Sequence, residues 1–441
     1  MKKSNRNFSG LKKCFPILGR LILINIIMGE KSICQQHLYC RVCGGNGMIE
    51  YLDLGLLPLA NNLKPTSESA KDADRYPLQV MFCPECGLSQ LSVVVDPEEM
   101  FSNYAYRSGI NQGYINHCWR MAKSLIAKFG LTYDTFHIDI GGNDGTLLKV
   151  FKNVLHHKVL NVDPAANLTE TAEYSGILCI TDFWGDNCLP LIEDKADLIT
   201  ATNIFAHLDH VGAFMRTCKK ALSPEGIIVI ENPYLIDFIE DMEFDTVYHE
   251  HVTYWSIKPM MELCCDNGMK LIDVEKQCIH GGSMRYIISH EESNHIPSQS
   301  VAVLSKEERV KGFDKVDRYL NWSRDIKNVI DDFHAKLLEL KEQGQSVIAF
   351  AASAKGNTLL NSAKIDSNLI SCIIDETPDK IGMFYPGTGI PILAIRNIMK
   401  ILPDYIVILS WNFQKEIIDK IKLLGYKGSF IIPIPAFSVV E

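Results

Sequence analysis

From residue 136 onward, short apolar runs alternate with longer stretches of helical period. FHIDIGGNDGTLL (136–148) reads as strand, glycine turn and helix. KVLNVDPAAN (158–167) is a second strand that ends in an acid. ADLITATNIFAHL (196–208) and GIIVIENPYL (226–235) are further strands, each running into polar residues. KLIDVEK (270–276) and SMRYIISH (283–290) have the look of a closing antiparallel pair. Strand–helix alternation of this kind predicts a doubly wound α/β sheet. Beyond it, Phe313, Val316, Leu320, Ile326, Ile330, Phe333, Leu337 and Leu340 recur mostly at spacings of three and four. That predicts a long amphipathic helix, core-facing rather than partner-binding. It leads into SVIAFAASAKGNTLL (346–360), a second strand, glycine-bearing turn and helix.

The turn after the first strand narrows the ligand. A dinucleotide fold brings a helix N-terminus against pyrophosphate through GxGxxG. Here the turn is Asp139-Ile-Gly141-Gly142-Asn143-Asp144-Gly145, with an acid before the first glycine and no third glycine at the dinucleotide spacing. An acid suits a cationic ligand with an amino group, which favours S-adenosylmethionine (SAM) over NAD. Asp163, followed by Pro164, is placed to accept both ribose hydroxyls. Asp182, Phe183 and Asn203 are expected to line the same site. A strand-to-helix turn that merely tolerates glycine is the plainer alternative.

With 441 residues the chain is too long for one core, so two or three domains are expected. It is 47% hydrophobic and 22% charged, with a net charge of −9. That is a globular balance with no basic footprint for nucleic acid. Among 14 cysteines, only Cys40/Cys43 and Cys83/Cys86 form close C-x-x-C pairs. Each pair can aim two thiolates at one tetrahedral ion, and Gly44 and Gly87 follow where a knuckle needs positive φ. One structural Zn²⁺ is the expectation; redox cysteines and a catalytic metal are the alternatives. The first residues, MKKSNRNFSGLKK and then an apolar stretch broken by Arg20, are too short in apolar length to span a bilayer. A poor signal peptide or an interfacial anchor is the alternative; the expectation is an upstream start codon, with the functional protein beginning near Met28, no membrane association and a cytoplasmic location.

One segment is dense in acid–base groups. EFDTVYHEHVTYWS (243–256) holds Glu243, Asp245, Tyr248, His249, Glu250, His251 and Tyr254. It follows the fifth strand and so falls at the carboxyl ends of the strands, where open α/β sheets bind ligands. Asn203 and His207 reach the same rim. O- or N-methylation needs little beyond alignment. Carbon methylation needs a base for a C–H proton and donors for an enolate oxygen, and this segment fits that demand. Lid-closing hydrogen bonds and a His249/His251 metal pair are the alternatives.

Together these pieces make the chain resemble the sugar C-methyltransferases that act on nucleotide-linked keto-deoxysugars. The motifs are the paired C-x-x-C, YLDLGLLPLANNL, IDIGGNDGTLL, NVDPAAN, NIFAHL, IENPYLIDFIEDMEFDTVYHEH, HGGSMR, AFAASAKGNTLLN, IDETPDKIGMFYPGTGIPI and PDYIVILSWNF. They run in order from about residue 38 to 435. The resemblance implies a class I SAM-methyltransferase Rossmann-like core (101–290) behind a zinc-binding domain (38–100) and an extension (1–37). A helical linker (291–345) and a second Rossmann-like domain (346–441) would follow. The substrate would be a nucleotide-linked ketosugar, bound between domains of a monomer or homodimer. The base role falls on His251, with Tyr248, Glu250, His207 and Tyr106 in support and His249 as the reserve. From the residues themselves, Ser353, Lys355, Gly356, Asn357 and Thr358 offer small side chains and a lysine to a diphosphate, with a degenerate Rossmann turn bearing an exposed lysine as the alternative; His280 and Arg285 are also expected to face substrate. No second cofactor is expected. Gly142 departs from the family, where serine or another small polar residue is usual. An O- or N-methyltransferase on a related sugar, and a non-catalytic sugar-nucleotide-binding protein, remain the rival readings.

Overall fold

The computed structural model describes residues 34–96, 100, 108–110, 112–279 and 281–441. Tyr106, His280 and the segment before Met28 lie outside the described residues.

The central sheet has seven strands: β1 (Phe136–Ile140), β2 (Lys158–Val162), β3 (Leu178–Ile180), β4 (Ala196–Thr202), β5 (Leu222–Pro233), β6 (Met269–Gln277) and β7 (Ser283–His290). Their order is β6-β7-β5-β4-β1-β2-β3. β1 through β5 pair in parallel, and β7 runs antiparallel to β5 and β6. β1 is buried along its whole length. Helices on both faces remove the usual in–out alternation, which is why its sequence reads as a nearly continuous apolar run. The order reverses between β1 and β4, leaving a crevice at their carboxyl ends.

The second sheet repeats the theme. Its strands are β8 (Val347–Phe350), β9 (Ile373–Asp375), β10 (Ile392–Ala394), β11 (Tyr405–Ile408), β12 (Ser429–Ile432) and β13 (Ser438–Val440). The order is β10-β9-β8-β11-β12-β13, parallel except for β13. Its switch point lies between β8 and β11.

The N-terminal module is an antiparallel sheet of Ile49–Pro58, Arg75–Phe82 and Ser89–Leu91. Its fourth strand, Thr253–Tyr254, comes from the acid–base segment, with Thr253 opposite Gln90. The long helix spans Val316–Glu342. Its buried face is Tyr319, Trp322, Ile326, Phe333 and Leu337, whereas Leu320 is exposed. The expected stripe otherwise faces the core, with Val316, Ile330 and Leu340 packed against it, and Tyr319 and Trp322 take the place expected of Leu320. Tyr319 packs on Tyr51 and Phe82 of the N-terminal sheet, with ring centroids 5.0 and 4.7 Å away. Leu78, Trp255, Tyr319 and Ile348, from different units, belong to one contiguous apolar core. Among the described residues no helix is long and apolar enough to cross a membrane.

Candidate functional site

The four cysteines converge. Cys40 and Cys86 sulfurs lie 3.4 Å apart, Cys43 and Cys83 sulfurs 3.5 Å apart, and all four ligand atoms fall within 4.8 Å of one another. The two knuckles share one backbone pattern. Gly44 N–H donates to Cys40 O and Gly87 N–H to Cys83 O, both at 2.9 Å, while Cys40 and Cys83 N–H donate to Gly45 O and Leu88 O at 2.8 Å. Both glycines have positive φ, +70° and +84°. Four thiolates about one Zn²⁺ would have edges of about 3.8 Å, from the usual Zn–S length. The cluster fits such an ion.

The glycine turn is a cradle. Gly141 (φ +67°) sits so close to Ile204 that a Cβ would lie 2.4 Å from its Cγ2. At Gly142 a Cβ would lie 2.4 Å from Asn161 Oδ1 and 2.7 Å from Asp139 Oδ2. The family's serine would therefore require both neighbours to shift. Asn143 is left-handed (φ +54°), and its N–H donates to Asp163 Oδ2 at 2.9 Å. Asp163 Oδ1 accepts from Ala165 N–H at 2.9 Å. Each oxygen keeps a further lone pair, so the carboxylate can brace the turn and still accept from a diol. Burial raises its pKa against the pull of those two N–H groups. Asp144 is occupied locally, accepting from Gly109 N–H and Thr146 Oγ1 at 2.9 and 2.6 Å. Asp139 accepts from Thr200 Oγ1 at 2.6 Å, and burial lifts its carboxyl to about 7. Pro164 is half-buried, and Asn203 is half-buried in left-handed backbone (φ +58°) at the end of β4. Asp182 is exposed, and the Phe183 ring is 41% exposed just past β3, as a stacking surface for a flat base would be. The shape, the spare lone pairs and the buried acid fit SAM.

The acid–base segment joins all three units. His251 Nδ1 lies 2.9 Å from Thr246 O, and Nε2 lies 2.9 Å from Tyr248 OH. A carbonyl only accepts, so Nδ1 carries the proton and Nε2 is the basic nitrogen. The Tyr248 ring is 4.1 Å from the His251 ring, and the His207 ring is 5.2 Å from it. Burial lowers His207 to about 4, so it is neutral at physiological pH. A small cavity behind His251 is walled by Ala206, Pro233, Leu235, Phe238 and Tyr254. Glu250 Oε1 accepts from Asn61 Nδ2 at 2.6 Å. His249 turns the other way, its Nε2 3.3 Å from Tyr76 O in the N-terminal sheet, and burial lowers it to about 4. The structure thus brings His251, Tyr248 and His207 together and leaves His249 at a domain boundary.

The C-terminal crevice is filled by the front of the same segment. Lys355 Nζ meets Glu243 Oε2 at 2.7 Å and lies 5.8 Å from the Trp411 ring centre. Trp411 Nε1 donates to Asp245 Oδ2 at 2.8 Å. Burial raises Asp245 to about 6, with Lys355 and Trp411 pulling against it. Thr358 Oγ1 donates to Val247 O across the domain boundary and Asn357 Nδ2 to Pro386 O within its own domain, so these two buried side chains serve internal contacts. Ser353 caps its helix by accepting from Gly356 N–H at 3.2 Å. Gly356 lets that helix approach β11: a Cβ would lie 2.8 Å from Leu409 Cβ. Arg285 has a different place from the one expected. It is buried in β7, and its Nε and second terminal nitrogen meet Glu231 Oε2 at 2.9 Å while Nη1 meets Glu275 Oε2 at 2.9 Å. An arginine only 2% exposed inside a sheet, its charge met by two carboxylates, is directed into the sheet and away from an open crevice. Asn61 and Trp411 drew no role from sequence. Both lie in motifs of the resemblance, which was the one signal available.

Three family models match in succession: "Putative zinc binding domain" over residues 40–101, "Methyltransferase domain" over 120–274 and "C-methyltransferase C-terminal domain" over 278–435. The chain is 29% identical over 406 residues to C-methyltransferase NovU of Streptomyces niveus, covering 91% of this chain and 96% of that protein. Magnesium protoporphyrin IX methyltransferase of Synechocystis PCC 6803, solved with SAM bound, aligns at a TM-score of 0.32 and 11% identity. That alignment covers 40% of this chain and 80% of the other. A SAM-dependent methyltransferase of Clostridium acetobutylicum aligns at a TM-score of 0.32 and 10% identity, over 40% and 91% of the two chains.

Proposed function

We propose, from the three family models that match in succession and the likeness to C-methyltransferase NovU, that the chain is a SAM-dependent C-methyltransferase with a zinc-binding domain and that it methylates a nucleotide-linked 4-keto-deoxysugar. The methyl group goes to the carbon beside the ketone, C3, through an enolate, in a cytoplasmic enzyme. The single observation that carries this reading is the hydrogen bond from His251 Nδ1 to Thr246 O, which leaves Nε2 as a base. Bound SAM supplies an electrophilic methyl group.

His251 Nε2 takes the proton from the substrate carbon, either directly or through Tyr248 OH, 2.9 Å away. A C–H beside a ketone is a weak acid, so a lone histidine is not enough. Donors must hold the oxygen as charge develops. Tyr248 and neutral His207 are the donors at hand, and neutrality keeps His207 from opposing the imidazolium formed at His251. Glu250, next to His251 in the chain and held by Asn61, is the carboxylate proposed to balance that new charge. Lys355 is the cation nearest the segment from the C-terminal domain, and a diphosphate would compete with Glu243 for it.

The test is incubation with SAM and a panel of dTDP-, GDP- and CDP-4-keto-6-deoxysugars, followed by product mass and NMR. A new C–CH₃ beside the ketone is expected; a methyl on oxygen or nitrogen overturns the reading. His251→Ala should lower turnover by roughly two to four orders of magnitude with SAM binding intact. With S-adenosylhomocysteine bound in D₂O, wild type should exchange deuterium into that carbon. Equal exchange in His251→Ala would place the base elsewhere.

A further inference from the structure

The zinc module is tied to the chain segments that carry His207 and His251 through a residue inside its own first knuckle. Arg41 lies between Cys40 and Cys43, and its side chain is 2% exposed. Its Nε donates to Asp209 Oδ1 at 2.8 Å and its Nη1 to Leu91 O at 3.0 Å. Asp209 is two residues beyond His207 on the same turn, and its other oxygen lies 3.3 Å from His37 Nε2. Burial alone would raise this carboxyl, yet His37 and Arg41 hold it down to about 2, so the pair is charged. The Arg41 backbone N–H donates to Gln90 Oε1 at 2.9 Å. Gln90 stands opposite Thr253 in the sheet, and Leu91 N–H donates to Val252 O at 2.9 Å, immediately after His251. Thr253 Oγ1 in turn lies 3.3 Å from Ala206 O, immediately before His207. The chain stretches bearing both histidines are therefore tied to one knuckle by a buried ion pair and by sheet hydrogen bonds.

We propose that Arg41 is a positioning residue for the His207–His251 pair, so that the zinc module governs turnover as well as its own folding. The proposal rests on the reading of His251 as the base. The physical reason is tolerance. A base and a donor must be held to a fraction of an ångström, and a 1 Å error costs about a hundredfold in rate. Loops cannot give that precision by themselves; a thiolate-bound knuckle, rigid over a few residues, can. A buried arginine fork fixes a carboxylate in both distance and plane, which a flexible ammonium does less well.

The experiment compares wild type, Arg41→Met, Arg41→Lys and Asp209→Asn, each loaded with zinc. Every variant is expected to keep about one zinc per chain, as a four-thiolate site holds one ion, and SAM affinity should stay within about twofold, since none of these side chains reaches the glycine turn. Arg41→Met and Asp209→Asn should lose about ten- to a hundredfold in kcat on whichever ketosugar of the panel wild type turns over, with KM little changed. Arg41→Lys, which keeps the charge, should recover part of that loss.

Hydrogen exchange read by mass spectrometry needs no substrate. Peptides covering 205–210 and 248–255 should exchange roughly tenfold faster in Arg41→Met, while the C-terminal sheet is unchanged. Wild type inactive on every sugar would sink the substrate reading and leave the exchange result to decide this one. Unchanged exchange in both peptides overturns the proposal, as does full kcat with the ion pair removed. So does a loss of zinc and SAM affinity in step with kcat. If Arg41→Met does not fold, Asp209→Asn, which leaves the knuckle's own sequence intact, decides alone by the same readings.

Discussion

In the central sheet the acid ending β2, Asp163, accepts one N–H from the turn after β1 (Asn143) and one from two residues ahead (Ala165), both at 2.9 Å. In the C-terminal sheet the acid ending β9, Asp375, accepts from Ala352 after β8 at 2.7 Å and from Thr377, again two residues ahead, at 2.8 Å. Each turn holds a non-glycine residue in left-handed backbone, Asn143 at +54° and Ala351 at +75°. The two domains thus build the same brace between first and second strands. What differs is the space above it. The first turn carries Gly142, and past the ends of the neighbouring strands come exposed Asp182 and Phe183 and half-buried Asn203. Over the second lie Glu243, Asp245 and Val247, bonded to Lys355, Trp411 and Thr358. One crevice is a cradle, and the other holds the acid–base segment in place. A shared fold fixes where a ligand could go; side chains from elsewhere in the chain decide whether that place is free.

The largest expected effect separates the two acids. Asp163→Ala should weaken SAM by about 2–4 kcal/mol, through lost charge-assisted bonds and a loosened turn. Asp375→Ala should leave the SAM dissociation constant unchanged by calorimetry while lowering the melting temperature. Equal effects on SAM would break the comparison.

Next is the plug. Lys355→Met strands the nearly buried Glu243 carboxylate. Loss of one partner of a buried pair costs 3–5 kcal/mol, and the partial exposure of Lys355 reduces this to about 2 kcal/mol. Denaturant unfolding should show that loss, and adding Glu243→Gln should restore most of it. A double variant as unstable as the single one would mean that the pair does not hold the segment.

A smaller effect is a pH dependence found in one crevice alone. Asp139 titrates near 7 in the free protein because burial disfavours its charge. Its protonated form cannot balance a cationic ligand. SAM affinity should therefore fall as pH drops through about 7, by at most tenfold per pH unit for a single proton. The sign is opposite for the unliganded fold. A carboxyl whose pKa is raised from 3.8 to about 7 binds its proton more tightly when folded, so this group's contribution to stability declines as pH rises across that window. Asp139→Asn should flatten the binding profile; an unchanged slope would assign it to another group.

Smallest is Trp411→Phe, which removes the indole N–H from Asp245 and keeps most of the ring. About 1 kcal/mol of stability should be lost, with SAM binding unaffected. No loss would mean that packing alone seats the segment.

Several features were legible because their causes are local. C-x-x-C-G writes a knuckle within a few residues, through bonds such as Gly44 N–H to Cys40 O. The apolar runs and the glycine turn of Asp139–Gly145 announced strand, turn and helix; the acid closing β2 was read as a ribose acceptor, and its bond to Asn143 N–H came from the structure. The resemblance put the base on His251, and its neighbours at positions 246 and 248 lie close enough in sequence for their bonds to be short-range.

The rest depended on pairings between distant residues. Arg285 looked available until β7 was laid between β5 and β6, which set Glu231 and Glu275 around it. Asn357 and Thr358 read as phosphate ligands until the loop at Pro386 and the backbone at Val247 took their hydrogen bonds. Nothing near Thr253 says that it joins a sheet whose other strands end at Leu91, more than a hundred residues earlier. Sequence alone determined what each segment could form, because backbone hydrogen bonds and side-chain period are short-range. Tertiary structure decided which polar groups were already satisfied. A buried donor or acceptor must find a partner, and that partner was set by packing across the whole chain.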